Sequence, residues 1–247
     1  MAADAPTNHA PVDEAPIELA LLPRTARLDE RGRLQVGGCD VEGLAELFGT
    51  PLYVYDEEDL RLRCREYRAA FGDGMVSYAS KAFLCVAMAR LVADEGLHLE
   101  VASGGEAHVA HRAGFPPERM VMHGNNKSEF ELRFALASRF ARLVVDSFDE
   151  LDRIEALVAG GLPVPQVLVR VTPGVEAHTH EHIATGADDS KFGFSVSTGA
   201  AREAASRVAE SKTMELAGFH CHIGSQIFAL ESFGRAAEVV ARLAVEV

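Results

Sequence analysis

Residues 217–227, AGFHCHIGSQI, place two histidines two apart at the end of an apolar run, followed by a glycine and small polar residues. Two chemistries use that pattern. His220 and His222 could open a metal site, as a His-x-His at a strand end does in some barrel hydrolases. Alternatively, one imidazole could lie flat against an aromatic cofactor. A hydrolase of the first kind carries the pair on its first barrel strand and draws further ligands from later ones. Here the pair falls on the sixth candidate strand, and little chain follows. Gly224 and Ser225 add a small nest of N–H and hydroxyl donors, which suits a phosphate better than a cation. A second chemical group stands far upstream, Lys81 in YASKAF. It is either a solvated or ion-paired strand end, or an amine made nucleophilic by enclosure among Tyr78, Ala82 and Phe83.

Further strand ends offer partners. LEVASGGE (99–106) ends in Ser-Gly-Gly and opens a helix, with exposed N–H groups that attract anions or with Ser103 as a simple cap. HGNNKS (123–128) sets two amides and a lysine past another strand, as a structural turn or as ligand contacts. In VRVTPG (169–174), Arg170 interrupts an apolar strand, and a charge there needs Glu100, another strand's acid or an anionic ligand. His178, His180 and His182 alternate in a polar loop, which reads as a lid or interface rather than the rigid three-ligand set of a catalytic zinc. No metal is expected. Phe192 in DSKFG closes that loop as a contact point. One imidazole against a pyridine ring, donors for its phosphate and a lysine for its aldehyde together describe pyridoxal phosphate (PLP).

The elements that must position these groups follow a clear rhythm. Strand patterns at 75–80, 98–103, 119–124, 142–147, 165–172 and 215–224 alternate with helical patterns at 82–95, 104–113, 128–139, 148–159 and 199–210. That alternation implies βα units around a parallel sheet, and six strands each ending in a small or polar residue favour a TIM-type (β/α)8 barrel. The sequence runs out after six, inside the helical pattern GRAAEVVARLAVEV, so the barrel reads as truncated. Upstream lie a flexible tail over 1–23, a helix in DVEGLAELFG capped by Asp40, a short strand in PLYVYD and a charged helix from Glu57.

Composition sets the outer bounds. With 247 residues, 48% hydrophobic, and mean hydropathy of +0.03, the chain is ordinary for a globular protein. A formal charge of −13 without a basic cluster argues against nucleic acid. No apolar run reaches the roughly 20 residues of a membrane span. Four scattered cysteines and an acidic N-terminus without a signal-peptide pattern point to the cytoplasm.

Taken in order, YASKAF, ASGGE, HGNNKS, HTHEHIATG…DSKFGF and HCHIGSQI, with GTPLYVYDEEDLR before them, resemble the diaminopimelate decarboxylase family of PLP-dependent, alanine-racemase-like barrels. The resemblance runs from about residue 27 to the last residue. It implies that Lys81 forms the Schiff base with PLP, His222 stacks on its ring, and Gly224 with Ser225 binds its phosphate. Arg170 falls near the cofactor, Glu100 stands where many relatives carry Asp, and Lys191 matches a position near the subunit interface. It further implies an amino-acid substrate, loss of CO₂ from meso-diaminopimelate to give L-lysine, and a homodimer. Residues 24–56 would then pack with a C-terminal β domain that this chain lacks, and 57–247 would be an incomplete barrel. That domain carries a phosphate loop, a glutamate for the pyridine nitrogen and the substrate-reading residues, so the 247 residues alone are expected to be inactive. A PLP-binding or partner-binding paralogue without catalysis, a carboxynorspermidine-type decarboxylase and the metal hydrolase stay open as alternatives.

Overall fold

The structure is a computed structural model describing residues 18–72, 75–175, 192–225, 227 and 230–247. The tail expected over 1–23 therefore lies, up to residue 17, outside the described residues; Leu19–Leu21 form a 3-10 turn. The chain divides into two compact units at Glu66/Tyr67, inside a helix.

In the first unit, β1 (Arg27–Leu28), β2 (Leu34–Val36) and β3 (Cys39–Asp40) form an antiparallel sheet in that order. Gly37 and Gly38, at φ 59° and 79°, make the two-residue turn between β2 and β3, a conformation side chains resist. Asp40 caps α1 (Val41–Phe48) through the Glu42 N–H, as the sequence predicts. The strand read in PLYVYD is not formed. Its last residue is used otherwise: Asp56 accepts the N–H groups of Glu58 and Asp59 and so starts α2 (Glu57–Phe71).

The second unit is a run of βα pairs. Its elements are β4 (Ser77–Ala79), α3 (Val86–Asp94), β5 (His98–Val101), α4 (Gly104–Ala113), β6 (Met120–Met122), α5 (Glu129–Ala137), β7 (Arg142–Val145) and α6 (Phe148–Ala159). Then come β8 (Gln166–Thr172), β9 (Phe194–Ser195), α7 (Ala200–Glu210), β10 (Glu215–His220) and α8 (Leu230–Glu246). The strands line up as β10-β8-β7-β6-β5-β4, all parallel, with β9 attached to the end of β8. Each main strand lies beside its predecessor, with none of the order reversal of a doubly wound sheet. This is the wall of a TIM-type barrel, six strands long. The strand patterns in the sequence do not include the two-residue β9, nor β1 to β3 of the first unit.

Strands of a parallel sheet bury both faces, and β6 and β7 do so. Leu99, Met120, Met122, Leu132, Leu143, Val145, Leu151 and Ile154 form the packed layer between strands and helices. Three successive helices begin with the same chemistry. Ser103, Ser128 and Ser147 each accept an N–H from a glutamate three residues on, Glu106, Glu131 and Glu150. The full capping box closes at Ser128, where the Glu131 carboxylate also takes the Ser128 N–H. Its other oxygen accepts the Gly104 N–H at 2.6 Å, tying the starts of α4 and α5 together.

β10 contains an irregularity that bears on the histidines. Leu216 pairs with Val167, but Gly218 pairs with Leu168, leaving Ala217 as the extra residue of a bulge. Because residues two apart share a strand face, the bulge puts Leu216 and Phe219 on one face and Gly218 and His220 on the other. His220 thereby comes level with Arg170. Gly218 sits at φ 141°, which suits a residue without Cβ. Replacing the fully enclosed Leu143 with alanine should lower unfolding free energy by about 3 kcal/mol in urea titration; a loss under about 1 kcal/mol would mean the layer collapses around the deletion.

Candidate active site

The C-terminal ends of the strands converge on a cavity of about 490 Å³. β4 and its continuation bring Ala79, Ser80 and Lys81; β5 brings Glu100; the β6 end brings His123, Gly124 and Asn125. Arg170 comes from β8, Phe192 from the approach to β9, and His220, His222 and Ser225 from β10 and the turn beyond. The volume falls within the roughly 300–1,000 Å³ of ligand clefts. Of the residues expected at the site, Lys81, Glu100, Arg170, His222 and Ser225 meet here. Gly224 does not line this cavity; it borders an apolar groove of about 490 Å³ between β10 and α8.

Lys81 follows β4 in a short 3-10 turn whose first residue, Ser80, is buried. The enclosure expected from Tyr78, Ala82 and Phe83 is not formed among the described residues. Lys81 is exposed, and the Tyr78 hydroxyl instead donates to the Phe83 carbonyl at 2.8 Å.

Arg170 is buried to 8% exposure, and burial pulls its pKa below the ordinary arginine value. Two groups compensate. Asp146, at the end of β7, places Oδ2 3.4 Å from Nη1, and the guanidinium lies 4.5 Å over the Phe192 ring. Glu100, offered by the sequence as one possible partner, is engaged elsewhere: His123 Nε2 lies 3.4 Å from its Oε1. Burial alone would raise the Glu100 carboxyl; contacts with His123, His220 and Lys81 hold it below the usual value. Phe192 is fixed in turn because Thr172 Oγ1 donates to its carbonyl at 2.6 Å.

The two histidines of HCHIG differ. His220 packs edge-on against His123 with ring centroids 4.6 Å apart. Burial, then His123 and Arg170, push its pKa down to about 3. Its Nδ1 is buried without a hydrogen-bond partner among the described residues, as is Ser80 Oγ. His222 is half-buried, and burial together with Lys81 and Arg170 lowers its pKa as well. Both rings are therefore neutral near pH 7. Among the described residues no group of three or more His, Cys, Asp or Glu is arranged to hold a metal ion, and no helix is long and apolar enough to cross a membrane. His178, His180, His182 and Lys191 lie outside the described residues.

Sequence reasoning missed His123, Asp146 and Glu150. His123 was quoted within HGNNKS but passed over for the amides beside it. Glu150 carries a local signal, the Ser-x-x-Glu of SFDE (147–150), which marks a helix start; Asp146 stands just before it, and neither gives a hint of Arg170.

His220 also sets a pH dependence. Its folded pKa lies below the ordinary 6.5, so its contribution to stability is complete above pH 6.5 and is lost as pH falls towards 3. Between pH 6.5 and about 5, the protein should lose roughly 2 kcal/mol more than a His220→Gln variant does. Parallel stability curves for the two proteins would count against that.

Comparison with known proteins matches this arrangement. Residues 57–247 match the family described as pyridoxal-dependent decarboxylase, pyridoxal binding domain. The chain is 50% identical over 219 residues to diaminopimelate decarboxylase of Mycobacterium tuberculosis, covering 88% of this chain and 49% of that protein. With the Bacillus subtilis enzyme it shares 49% over 220 residues, covering 87% and 50%. The chain thus spans about half the length of the curated relatives it matches. Among solved structures, diaminopimelate decarboxylase from M. jannaschii in complex with L-lysine superposes with a TM-score of 0.78 at 31% identity, covering 91% of this chain and 53% of that one. The Helicobacter pylori enzyme with L-lysine gives 0.78 at 33%, covering 84% and 52%. By sequence and by the barrel wall that carries its cavity, the chain belongs to the pyridoxal-dependent decarboxylases, through their pyridoxal-binding domain.

Proposed function

We propose that this chain is the PLP-holding part of a decarboxylase that removes the D-centre carboxylate of meso-diaminopimelate, giving L-lysine and CO₂. The observation that carries the reading is convergence: Lys81, Glu100, Arg170, His222 and Ser225, from four different strand ends, meet at one cavity. The donor set fits the cofactor. An amine stands at one wall, a neutral imidazole at another, and three buried polar atoms of the lining, Ser80 Oγ, His123 Nε2 and His220 Nδ1, have no hydrogen-bond partner among the described residues.

When bound, PLP supplies an aldehyde for amines and a ring that draws off the electrons of the breaking Cα–carboxylate bond. The residues of this chain divide the remaining work. The Lys81 Nζ is the amine that would hold the aldehyde and yield its place to the substrate amine. His222, kept neutral by burial beside Lys81 and Arg170, would fix the ring plane without moving a proton. The Ser225 hydroxyl, which lines the cavity, would bind the phosphate dianion. Arg170, already anchored by Asp146 and Phe192, presents a fixed positive charge to the cavity. Glu100, held ionised by His123, is the acid closest in character to the Asp of relatives.

For the intact protein the same reading includes a homodimer in the cytoplasm without nucleic acid as a partner, the last supported by the charge of −13. Exposed Leu47, Phe48 and Tyr53 support residues 24–56 as a face that packs against a further domain. A PLP-binding protein without turnover is the rival.

Borohydride reduction of the PLP-soaked protein should add one pyridoxyl group at Lys81, seen by peptide mass spectrometry, and none in Lys81→Ala. An unlabelled Lys81 would end this proposal. A full-length protein that binds PLP at Lys81 but releases no CO₂ from meso-diaminopimelate would select the rival.

A further inference from the structure

A buried ion pair that no step above uses lies directly behind the cavity. Lys127 is 2% exposed and Glu150 1%, the deepest charges among the described residues. Lys127 Nζ donates three hydrogen bonds of 2.6 Å each, to Glu150 Oε1, to the Val144 carbonyl of β7, and to the Gly124 carbonyl. Gly124 and its neighbours His123 and Asn125 line the cavity. The second Glu150 oxygen accepts the Asp146 N–H at 3.0 Å, and the Asp146 carboxylate is the partner of Arg170. One ion pair therefore grips two separate walls, the turn after β6 and the end of β7 that anchors the guanidinium.

Helix capping alone does not account for it. Glu106, the corresponding glutamate of α4, accepts the Ala102 N–H at 2.6 Å in the same manner. The pair with lysine at Glu150 adds a function beyond the cap. Nor is the turn free to relax: Gly124 sits at φ 116°, and a Cβ there would stand 3.2 Å from the Ala102 carbonyl oxygen. Burying two charges is costly unless every remaining donor and acceptor is satisfied, and here all three Lys127 protons are.

We infer that Lys127 and Glu150 are positioning residues, which set the cavity wall at His123–Asn125 and, through Asp146, the placement of Arg170. The cofactor arm of the test rests on the function proposed above; the exchange arm does not.

The informative variant is Lys127→Met/Glu150→Gln in the 247-residue chain. It removes both buried charges, keeps an acceptor for the Asp146 N–H, and leaves the Gly124 and Val144 carbonyls without their donor. Its melting temperature should exceed that of Lys127→Met, which strands a carboxylate. Yet amide hydrogen exchange in 123–126 should run at least about tenfold faster than wild type, and PLP, followed by its absorbance, should bind about tenfold more weakly. A double variant with wild-type exchange and affinity would overturn the inference. The second variant, Glu150→Asp, keeps both charges but withdraws the carboxylate. It should speed exchange at 123–126 and raise the reactivity of Arg170 towards phenylglyoxal; unchanged values of both would likewise overturn it. Wild-type protein that takes up no PLP would sink the functional reading alone, leaving exchange to decide the positioning role.

Discussion

A guanidinium at the end of β8, enclosed by protein, dictates much of what surrounds it. Burying such a charge without compensation is prohibitive, and Arg170 cannot escape by losing its proton at any ordinary pH. The fold answers with one acid from β7 and one aromatic face from the chain entering β9. Each of those is then held by its own bonds, Asp146 through its N–H to Glu150 and Phe192 through its carbonyl to Thr172. Gly193 fits this crowding, since a Cβ there would come within 2.8 Å of the Arg170 carbonyl oxygen. The site is thus supported from behind by polar contacts and from below by apolar packing.

The division of labour between the two histidines of HCHIG follows from this arrangement. His220 sits level with Arg170 and close to His123, in surroundings where a proton is strongly disfavoured. It reaches the cavity as a neutral ring. His222, just past the strand and less enclosed, lines the same cavity from the turn beyond β10. Two residues of identical chemistry thus meet the cavity at different depths.

Much of the fold was legible because it depends on local pattern. Most of the six main strands are short apolar runs bounded by turn formers, and α1, α4, α5 and α6 start at side-chain caps that the sequence displays. Lys81, Arg170 and His222 could be picked out because a polar side chain at the end of an apolar run is conspicuous. What escaped depends on which strands are neighbours. Asp146 rather than Glu100 faces Arg170 because β7 lies beside β8 while β5 is two strands further off. PLYVYD has the composition of a strand, yet its last residue serves as the cap of the helix that follows. HGNNKS reads as a structural turn or as ligand contacts, and nothing in it shows that Lys127 is buried; that burial depends on Glu150 of α6, further along the chain.

The extra residue at Ala217 has a wider meaning. It lets the first half of β10 follow the pairing that suits the helical layer while the second half answers to the cavity, so neither half's needs dictate the other's. In a regularly paired strand Leu216 and His220 would fall on the same face; with Ala217 as an extra residue, Leu216 packs away from the cavity while His220 lines it.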